Sequence, residues 1–415
     1  MRNLRILVQK FGGTSVATPE RRDQVAAKII AAKQEGYSPV VVVSAIGRSG
    51  DPYATDTLLN VVKTTTPDVP KRELDILMSC GEVISGVVMV STLMGLGHEA
   101  VLLTGAQAGI TTTDSFGEAR IVSIKPKAIH QHLREGKIVV VAGFQGATEN
   151  GEITTLGRGG SDTTASALGV ALNAEMIDIY TDVEGIMTAD PRLVDDARIL
   201  DVVTYNEIFQ LAYQGAKVIH PRAVEIAMQK NIPIRVKSTF SDAPGTLVTN
   251  QLDNDFIETA LEIGGDRLIT GIAHTPNITQ LRVNGFAPQK GRDVDLKIFK
   301  AMALADISVD FITVLPSEIL YTVKDEVADK AAKILRNMGF AVESRPSCAK
   351  VSIIGGGMAE VTGVMAQVLE ALTENHIQVL QSADSNSTIW VLVAKENMAN
   401  AVRALHDSFR LGISA

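Results

Sequence analysis

Cysteine is scarce in this sequence, which has only Cys80 and Cys348 among 415 residues. The two lie far apart and neither belongs to a CxxC pair, so we expect two small buried thiols in a reducing cytoplasm rather than a disulfide framework. Long apolar runs are also missing. The longest uncharged stretch, VISGVVMVSTLMGLG at 83–97, is shorter than a membrane span and predicts a buried helix, so no membrane partner is expected.

Basic residues form no stripe along the chain. The formal net charge is -8, and no block of Lys and Arg could follow the phosphates of a nucleic acid, so nucleic acid is excluded as an expected partner. The sequence contains no GxxxxGK[ST] motif, and no GxGxxG follows the first strand, which argues against a P-loop and against a dinucleotide fold. No cluster of His or Cys indicates zinc, and we expect no metal site built from protein ligands.

The first 250 residues alternate strand-like apolar runs with helical patterns. Runs such as VVVVS and IVVVAGF are apolar on both faces, which is typical of parallel strands covered by helices on each side. The first helix has a cap at Thr18, a proline at Pro19 and a stop at Gly36. The pattern predicts an α/β domain over 1–250 with a mostly parallel sheet between helices.

A polar, patternless linker is predicted at 251–265, and a different rhythm follows it. Two βαββαβ repeats are predicted, the first at 276–346 and the second at 347–410. The second repeat lacks its last strand, whereas an unassigned strand lies at 266–275. We expect that strand to close the open sheet edge, so that the first repeat is inserted into the second.

Four unusual loops follow predicted strands: KFGGTS at 10–15, SAIGR at 44–48, GRGGSDTTA at 157–165 and YTDVEGIMTADPR at 180–192. Ligands of open parallel sheets bind at the carboxyl ends of the strands, and glycine amides with a helix start make an anion site there. A lysine at a strand end is often only a solvated terminus, and GRGG alone is an ordinary turn. The four loops together nevertheless favour a phosphate-handling site.

These motifs, together with SCGE at 79–82 and GAKVIHPRAVEIA at 215–227, resemble the aspartate kinase family in order and spacing. The resemblance covers the whole chain and implies an amino acid kinase fold followed by two ACT (βαββαβ) domains. It is nearest to the monofunctional, diaminopimelate-sensitive aspartokinases of Gram-positive spore formers.

The implied reaction transfers the γ-phosphoryl of ATP to the β-carboxylate of L-aspartate, the first step towards lysine, threonine and methionine. The acceptor is already ionised at pH 7, so no general base is needed and catalysis depends on positioning and charge neutralisation. Mg²⁺ is expected to be bound mainly through the ATP phosphates.

The resemblance assigns roles to individual residues. Catalysis is assigned to Lys10, Asp162 and Arg158. Substrate binding is assigned to Ser44, Glu82, Arg158, Gly159, Gly160 and Ser161. Nucleotide binding is assigned to Lys10, Phe11, Gly12, Gly13, Thr181, Asp182, Met187, Asp190, Arg192 and Lys217.

The resemblance also implies control by an amino acid, meso-diaminopimelate or lysine, bound by the ACT domains of a homodimer. The effector residues implied are Gly291, Ser308, Val309 and Asp310. The loop VNGFAPQKGRDVD departs from the DxPG pattern of ACT domains, which weakens the assignment of ligand contacts there.

Two other functions fit parts of the sequence. One is a related amino acid kinase that acts on glutamate or acetylglutamate, against which the paired ACT repeats and SCGE argue. The other is a catalytically silent ACT sensor of amino acids, against which the presence of Lys10, Glu82, Arg158 and Asp162 argues.

Overall fold

The computed structural model describes residues 4–64, 68–216, 218–250, 268–284, 293–358 and 361–412. These residues form two compact units. The N-terminal unit holds the described residues up to 186 together with 199–213 and 218–250, and the C-terminal unit holds 187–198, 214–216 and the described residues from 268 onwards.

The N-terminal unit is built on an eight-stranded sheet with the order β10-β12-β11-β9-β1-β2-β6-β3. Its strands are β1 Ile6–Phe11, β2 Ser38–Val43, β3 Ala100–Leu103, β6 Ile138–Ala142, β9 Met176–Thr181, β10 Val202–Val203, β11 Ile234–Ser238 and β12 Thr246–Val248. All neighbours pair in parallel except β11 and β12. The four valines Val40–Val43 are fully buried, as expected for a strand covered on both faces. The predicted mostly parallel sheet is confirmed.

Seven helices of the described chain belong to this unit: α1 Pro19–Gln34, α2 Thr55–Lys63, α3 Lys71–Gly95, α4 Lys127–Arg134, α5 Gly160–Ala171, α6 Tyr205–Tyr213 and α7 Pro221–Met228. The predicted ends of α1 are confirmed. The Thr18 hydroxyl accepts a hydrogen bond from the Arg21 N–H at 3.4 Å, Pro19 is the first helical residue, and Gly36 has φ +88°.

Helix α3 contains the apolar stretch from the sequence. Among the described helices it alone is long and apolar enough to span a membrane. Only one of its faces is buried, because Met89 and Leu93 are inaccessible whereas Val87 and Met94 are more than half exposed. The predicted helix is therefore present, but the expectation that it is buried holds for one face alone, which packs on β3 and β6.

A carboxylate inside α3 ties this helix to a second, four-stranded sheet. That sheet has the order β5-β4-β7-β8, with β4 Ile110–Thr112, β5 Ile121–Ile124, β7 Gln145–Ala147 and β8 Ile153–Thr155. Asp75 is fully buried and accepts the N–H of Gly117 at 2.9 Å, the N–H of Thr155 at 2.8 Å and the Thr155 hydroxyl at 2.7 Å. One buried carboxylate therefore satisfies these three donors.

The C-terminal unit is a six-stranded sheet with the order β14-β15-β13-β16-β18-β17. Its strands are β13 Gly271–Asn284, β14 Asp310–Val314, β15 Ile319–Lys324, β16 Ala341–Ile354, β17 Gln381–Ser385 and β18 Thr388–Ala394, and its helices are α8 Val294–Leu304, α9 Asp325–Asn337, α10 Val364–Glu374 and α11 Met398–Ser408. Strands β13 and β16 pair antiparallel along their lengths, with a register shift between Thr275 and Ile278.

The long strands serve both repeats. Gly271–Thr275 pairs with Lys350–Ile354 beside β18, whereas Ile278–Asn284 pairs with Ala341–Cys348 beside β15. One continuous strand, β13, thus contains both the described part of the strand predicted at 266–275 and the first strand of the first repeat. The boundaries 276–346 and 347–410 remain a prediction, and each falls within or beside a continuous strand.

Segment 187–198 packs with the second repeat, although the sequence places it inside the predicted domain 1–250. Val194 and Ala197 are buried in the hydrophobic core formed by β16, β18, α10 and α11. The Ile272 N–H also donates to the Thr188 carbonyl at 2.7 Å.

The two cysteines differ in burial. Cys348 is buried as predicted, whereas Cys80 is exposed, contrary to the prediction.

Asp75→Asn should lower the free energy of unfolding of the N-terminal unit by about 2–3 kcal/mol. The substitution removes a charged acceptor from two N–H groups and a hydroxyl, and it aims an amide donor at them. Urea denaturation is the measurement, with Asp68→Asn, at an exposed loop position, as the control. Equal denaturation midpoints for the two variants would contradict this role of Asp75.

Candidate active site

The carboxyl ends of β1, β2, β6 and β9 lie at one edge of the large sheet. The register places Lys10 between Val42 of β2 and Ile179 of β9. The loops that begin at Gly12 and Ser44 therefore start next to each other, as predicted for the strand ends of a parallel sheet.

An ion pair connects the end of β1 to the start of α5. The Lys10 Nζ atom lies 2.7 Å from Asp162 Oδ1, and the two side chains are only 13% and 12% exposed. Asp162 Oδ2 also accepts the His220 N–H at 3.2 Å. The cation at the end of β1 is thus held in a fixed position in front of the first turn of α5.

Two glycines make these close approaches possible. A Cβ atom at Gly13 would lie 2.5 Å from the carbonyl oxygens of Ala45 and Gly47, so the two loops can touch only without a side chain there. Gly159 has φ +69°, and its Cβ would lie 2.1 Å from the His220 ring. A Cβ at Gly12 would instead meet Lys10 Nζ at 3.6 Å, an ordinary van der Waals contact, so no close approach requires a glycine there.

Glu82 is a buried carboxylate with one oxygen left over. It is 3% exposed, and its Oε1 accepts the Ala45 N–H at 3.1 Å. Its Oε2 has no hydrogen-bond partner among the described residues. Burial raises the pKa of this carboxyl to about 8. A ligand cation next to Oε2 would satisfy the oxygen and restore the charge.

The start of α5 brings several predicted residues together. Ser161 is buried, and its Oγ would lie 2.9 Å from a Cβ at Gly143, so it borders the loop after β6. Arg158 is exposed, and within the described part of the chain its guanidinium has no recorded hydrogen bond or ion pair. Ser44 follows β2 and is half-buried. Arg158 is therefore free to bind an anion.

The predicted nucleotide residues are divided between the two units. The Phe11 ring is fully buried and stacks on Tyr180 with ring centroids 4.5 Å apart, so only its backbone can meet a ligand. Thr181 ends β9 in the N-terminal unit, whereas Met187, Asp190 and Arg192 belong to the C-terminal unit.

Both acidic residues of this set are engaged. The Arg192 guanidinium donates two hydrogen bonds of 3.0 and 2.7 Å to Asp190, which hold the pKa of Asp190 below its ordinary value. Asp182 lies 2.6 Å from the Arg48 guanidinium. Lys217 lies outside the described residues.

Arg48 was missing from the predicted set, although it ends the SAIGR loop that the sequence singled out. It lines a pocket of about 320 Å³ in the N-terminal unit with Arg21, Asp51 and Asp182. Two guanidinium groups in a pocket next to the ends of β1 and β9 suit a polyanion such as a nucleotide. Arg48 pairs with Asp182, and the two residues follow different strands, β2 and β9. The sequence alone does not show that these strand ends meet.

The predicted effector residues lie at β14 of the C-terminal unit. Asp310 is half exposed and forms an ion pair with the nearly buried Lys350. Both line a pocket of about 190 Å³ with Phe311 and Trp390. Ser308 is exposed and Val309 is half-buried, whereas Gly291 lies outside the described residues.

Comparisons with known proteins show the family of this chain. A model of the amino acid kinase family matches residues 5–238, and a model of the ACT domain matches residues 343–407. Aspartokinase 1 of Bacillus subtilis is 53% identical over 411 residues, which cover 98% of this chain and 100% of the relative. The chain belongs to the aspartokinase family. Its activity is therefore that of an ATP-dependent aspartate kinase, which catalyses the first step of the aspartate pathway.

Other relatives support the same assignment. The aspartokinase of Geobacillus stearothermophilus is 42% identical over 99% of this chain and 98% of its own length. The crystal structure of E. coli aspartokinase III in complex with aspartate and ADP matches with a TM-score of 0.77 at 27% identity, covering 97% of this chain and 99% of that one. The predicted family, the kinase fold followed by ACT structure, and the activity are confirmed. These relatives favour aspartate over a glutamate-type acceptor.

The raised pKa of Glu82 predicts a pH-dependent stability of this aspartokinase. An unfolded Glu loses its proton near pH 4.5, whereas the folded carboxyl keeps its proton until about pH 8. The stability that this group contributes is complete below pH 4.5 and is lost as the pH rises to 8. The side chain that replaces the carboxyl in the Glu82→Gln variant does not titrate. The free energy of unfolding of the wild type should therefore fall relative to that of the variant by up to about 1.4 kcal/mol per pH unit between pH 5 and 8.

Urea denaturation of both proteins at several pH values in that range measures the difference. Stability curves that stay parallel from pH 5 to 8 would show that Glu82 titrates normally.

Proposed function

We propose that this aspartokinase binds aspartate and the ATP phosphates at the sheet edge around Lys10, and that Lys10 stabilises the phosphoryl group during transfer. The observation that carries the proposal is the shielded ion pair of Lys10 with Asp162, which fixes an ammonium group in front of the first turn of α5. A fixed cation in a site with little water stabilises developing negative charge more strongly than a solvated one does.

The chemistry requires little more of the protein. The β-carboxylate of aspartate is ionised at neutral pH and attacks without a general base, so alignment and charge neutralisation supply the rate enhancement. Gly159, Gly160 and Ser161 lie at the start of α5, where the backbone dipoles favour an anion, although the Gly160 N–H already donates to the Gly157 carbonyl at 3.0 Å. They complete the anion site that faces Lys10.

Aspartate is recognised through its α-amino and α-carboxylate groups. Glu82 Oε2 is buried and without a described partner, which suits the substrate ammonium. Arg158 has a free guanidinium that can bind the α-carboxylate through two parallel hydrogen bonds. Ser44 follows β2 beside Ala45, whose N–H orients Glu82, and contributes to the same pocket.

ATP enters next to the ends of β1 and β9. Gly12 and Gly13 offer backbone amides, and Thr181 and Asp182 follow β9. The family resemblance also assigns Met187, Asp190, Arg192 and Lys217 to the nucleotide. The E. coli relative was solved in complex with aspartate and ADP, which supports the use of a nucleotide by this chain.

Mg²⁺ would neutralise the β- and γ-phosphates when it is bound with ATP. In the described part of the N-terminal unit, no three His, Cys, Asp or Glu side chains converge as metal ligands. Mg²⁺ usually keeps phosphate oxygens and water as ligands, so the proposal places the ion largely on the ATP phosphates.

Arg158→Ala should lower kcat/KM for aspartate by about 3 kcal/mol, because it removes a charge-assisted pair with the α-carboxylate. The KM for ATP should stay within a factor of about two, since the nucleotide residues are untouched. Steady-state kinetics with both substrates varied is the measurement. Arg134→Ala, at an exposed position on α4, is the matched control. Unchanged aspartate kinetics in Arg158→Ala would remove Arg158 from the site.

We further propose that an amino acid of the lysine branch, meso-diaminopimelate or lysine, inhibits through the ACT structure. E. coli aspartokinase III in complex with lysine and aspartate matches this chain with a TM-score of 0.75 at 27% identity. Ser308, Val309 and Asp310 lead into β14, and Gly291 completes the proposed effector set.

The same strand suits a homodimer. β14 is an edge strand of the six-stranded sheet, and its residues Ile312 and Val314 are about half exposed. A second copy that pairs there would cover this apolar edge and place two effector sites at the interface.

Asp310→Asn should raise the effector concentration needed for half-inhibition by roughly 5- to 150-fold, the range of a coupling free energy of about 1–3 kcal/mol. Basal kcat should stay unchanged, because Asp310 lies outside the proposed catalytic set. Initial rates against meso-diaminopimelate and against lysine are the measurement, and Asp329→Ala, exposed on α9, is the control. Inhibition that is identical in the two variants and the wild type would place the effector elsewhere.

A cytoplasmic location follows from the chemistry proposed. Cys80 and Cys348 are free thiols, and free thiols persist in a reducing compartment. The substrates ATP and aspartate are those of a cytoplasmic enzyme.

A further inference from the structure

Three side chains that can bind a metal converge in the C-terminal unit. Asp196 lies in segment 187–198, whereas His406 and Asp407 lie in the last turn of α11. One ligand atom from each residue lies within 4.8 Å of the others. None of the three is assigned to aspartate, ATP or the effector.

His406 carries a buried atom that needs an explanation. The residue is fully buried, yet none of the described residues offers a hydrogen-bond partner to its Nδ1. The nearest carboxylate oxygen recorded, Asp196 Oδ1, lies 3.7 Å away, which is too far for a hydrogen bond. Buried polar atoms are nearly always paired, so an unpaired Nδ1 next to a carboxylate favours a site that takes a ligand between the two.

The opposite side of the ring is fixed. His406 Nε2 lies 2.9 Å from Thr188 Oγ1, and this hydroxyl also accepts the Arg198 N–H at 3.1 Å. Histidines that bind a metal through one nitrogen have the other held by a hydrogen bond in this way, which sets the ring orientation. The imidazole is thus preorganised with Nδ1 towards Asp196.

The spacing suits an ion between the side chains. Bonds of about 2.0–2.2 Å to a tetrahedral ion place neighbouring ligand atoms about 3.4 Å apart. The 3.7 Å between Nδ1 and Asp196 Oδ1 is close to that value, and a small rotation of the exposed Asp196 and Asp407 side chains would complete the set. Their exposure also leaves room for a water ligand.

We propose that Asp196, His406 and Asp407 bind one divalent transition-metal ion of the Zn²⁺ type. One imidazole with two carboxylates suits Zn²⁺, Co²⁺ or Mn²⁺, whereas Mg²⁺ and Ca²⁺ prefer oxygen ligands alone and Cu⁺ prefers sulfur. Arg198 lies near the cluster, but its Nε donates to the Leu411 carbonyl at 3.0 Å. Its charge weakens cation binding without blocking the site.

The ion would join segment 187–198 to α11. Two hydrogen bonds already connect these parts, from Arg403 Nε to the Leu193 carbonyl at 2.7 Å and between Thr188 Oγ1 and His406 Nε2 at 2.9 Å. The segment also carries Asp190 and Arg192, so a bound ion would stiffen a stretch proposed to contact nucleotide. That consequence rests on the proposed function, whereas metal binding itself does not.

The test is calorimetric titration of the metal-free, full-length protein with ZnCl₂ in the absence of nucleotide, repeated with excess Mg²⁺. We expect one Zn²⁺ per chain with a Kd in the micromolar range, little affected by Mg²⁺. Asp196→Asn and Asp407→Asn should each raise the Kd at least tenfold, because each removes a charged ligand. Asp195→Asn, the exposed neighbour outside the cluster, is the matched control and should bind as the wild type does.

Co²⁺ gives a second readout that is independent of activity. Its visible absorption should report a four- or five-coordinate ion with a nitrogen ligand in the wild type and in Asp195→Asn, and should be lost in Asp196→Asn. Asp196 and Asp407 are exposed, so their Asn substitutions should leave the fold intact. The test therefore needs no substitution of the buried His406. The absence of binding, or equal binding by all four proteins, would overturn the proposal, and neither outcome would bear on aspartate phosphorylation.

Discussion

The ion pair between Lys10 and Asp162 is the constraint on which the rest of the site depends. It joins the end of the central strand β1 to the first turn of α5, and both partners are shielded from water. Removing either partner would leave an uncompensated charge in a poorly solvated place, which typically costs about 3–5 kcal/mol. The surrounding loops are therefore built around the pair. Gly13 lets two loops meet beside it, and Gly159 lets α5 begin against His220.

The second constraint is a group that the folded protein leaves unsatisfied. Glu82 has a buried oxygen without a described partner and a pKa of about 8, because burial makes the charged carboxylate costly. A substrate ammonium would relieve that cost, whereas an exposed carboxylate would gain far less from the same contact. Arg158, by contrast, is exposed. The Glu82 carboxyl is thus held in place before a ligand binds, whereas the exposed Arg158 guanidinium can change its orientation.

Local signals in the sequence predicted much of this architecture. The caps of α1, the valine-rich strand β2 and the glycine-rich start of α5 each depend on neighbours within a few residues, so sequence spacing captures them. The sequence did not predict the features that depend on contacts between residues far apart in the chain. Nothing in the local pattern shows that β13 and β16 continue through two repeats, that Cys80 is exposed, or that Arg48 pairs with Asp182. The sequence likewise does not show the cluster of Asp196 and His406, because its members come from segments far apart in the chain.

A double-mutant cycle on Lys10 and Asp162 tests the central claim most directly. The single-turnover rate of phosphoryl transfer should fall on the order of a hundredfold or more in Lys10→Met, and the KM values should change little, because the contact strengthens as charge develops. If Asp162 acts by holding Lys10, adding Asp162→Asn to Lys10→Met should lower the rate hardly further. Multiplicative effects of the two substitutions, or a change confined to the KM for ATP, would contradict the account.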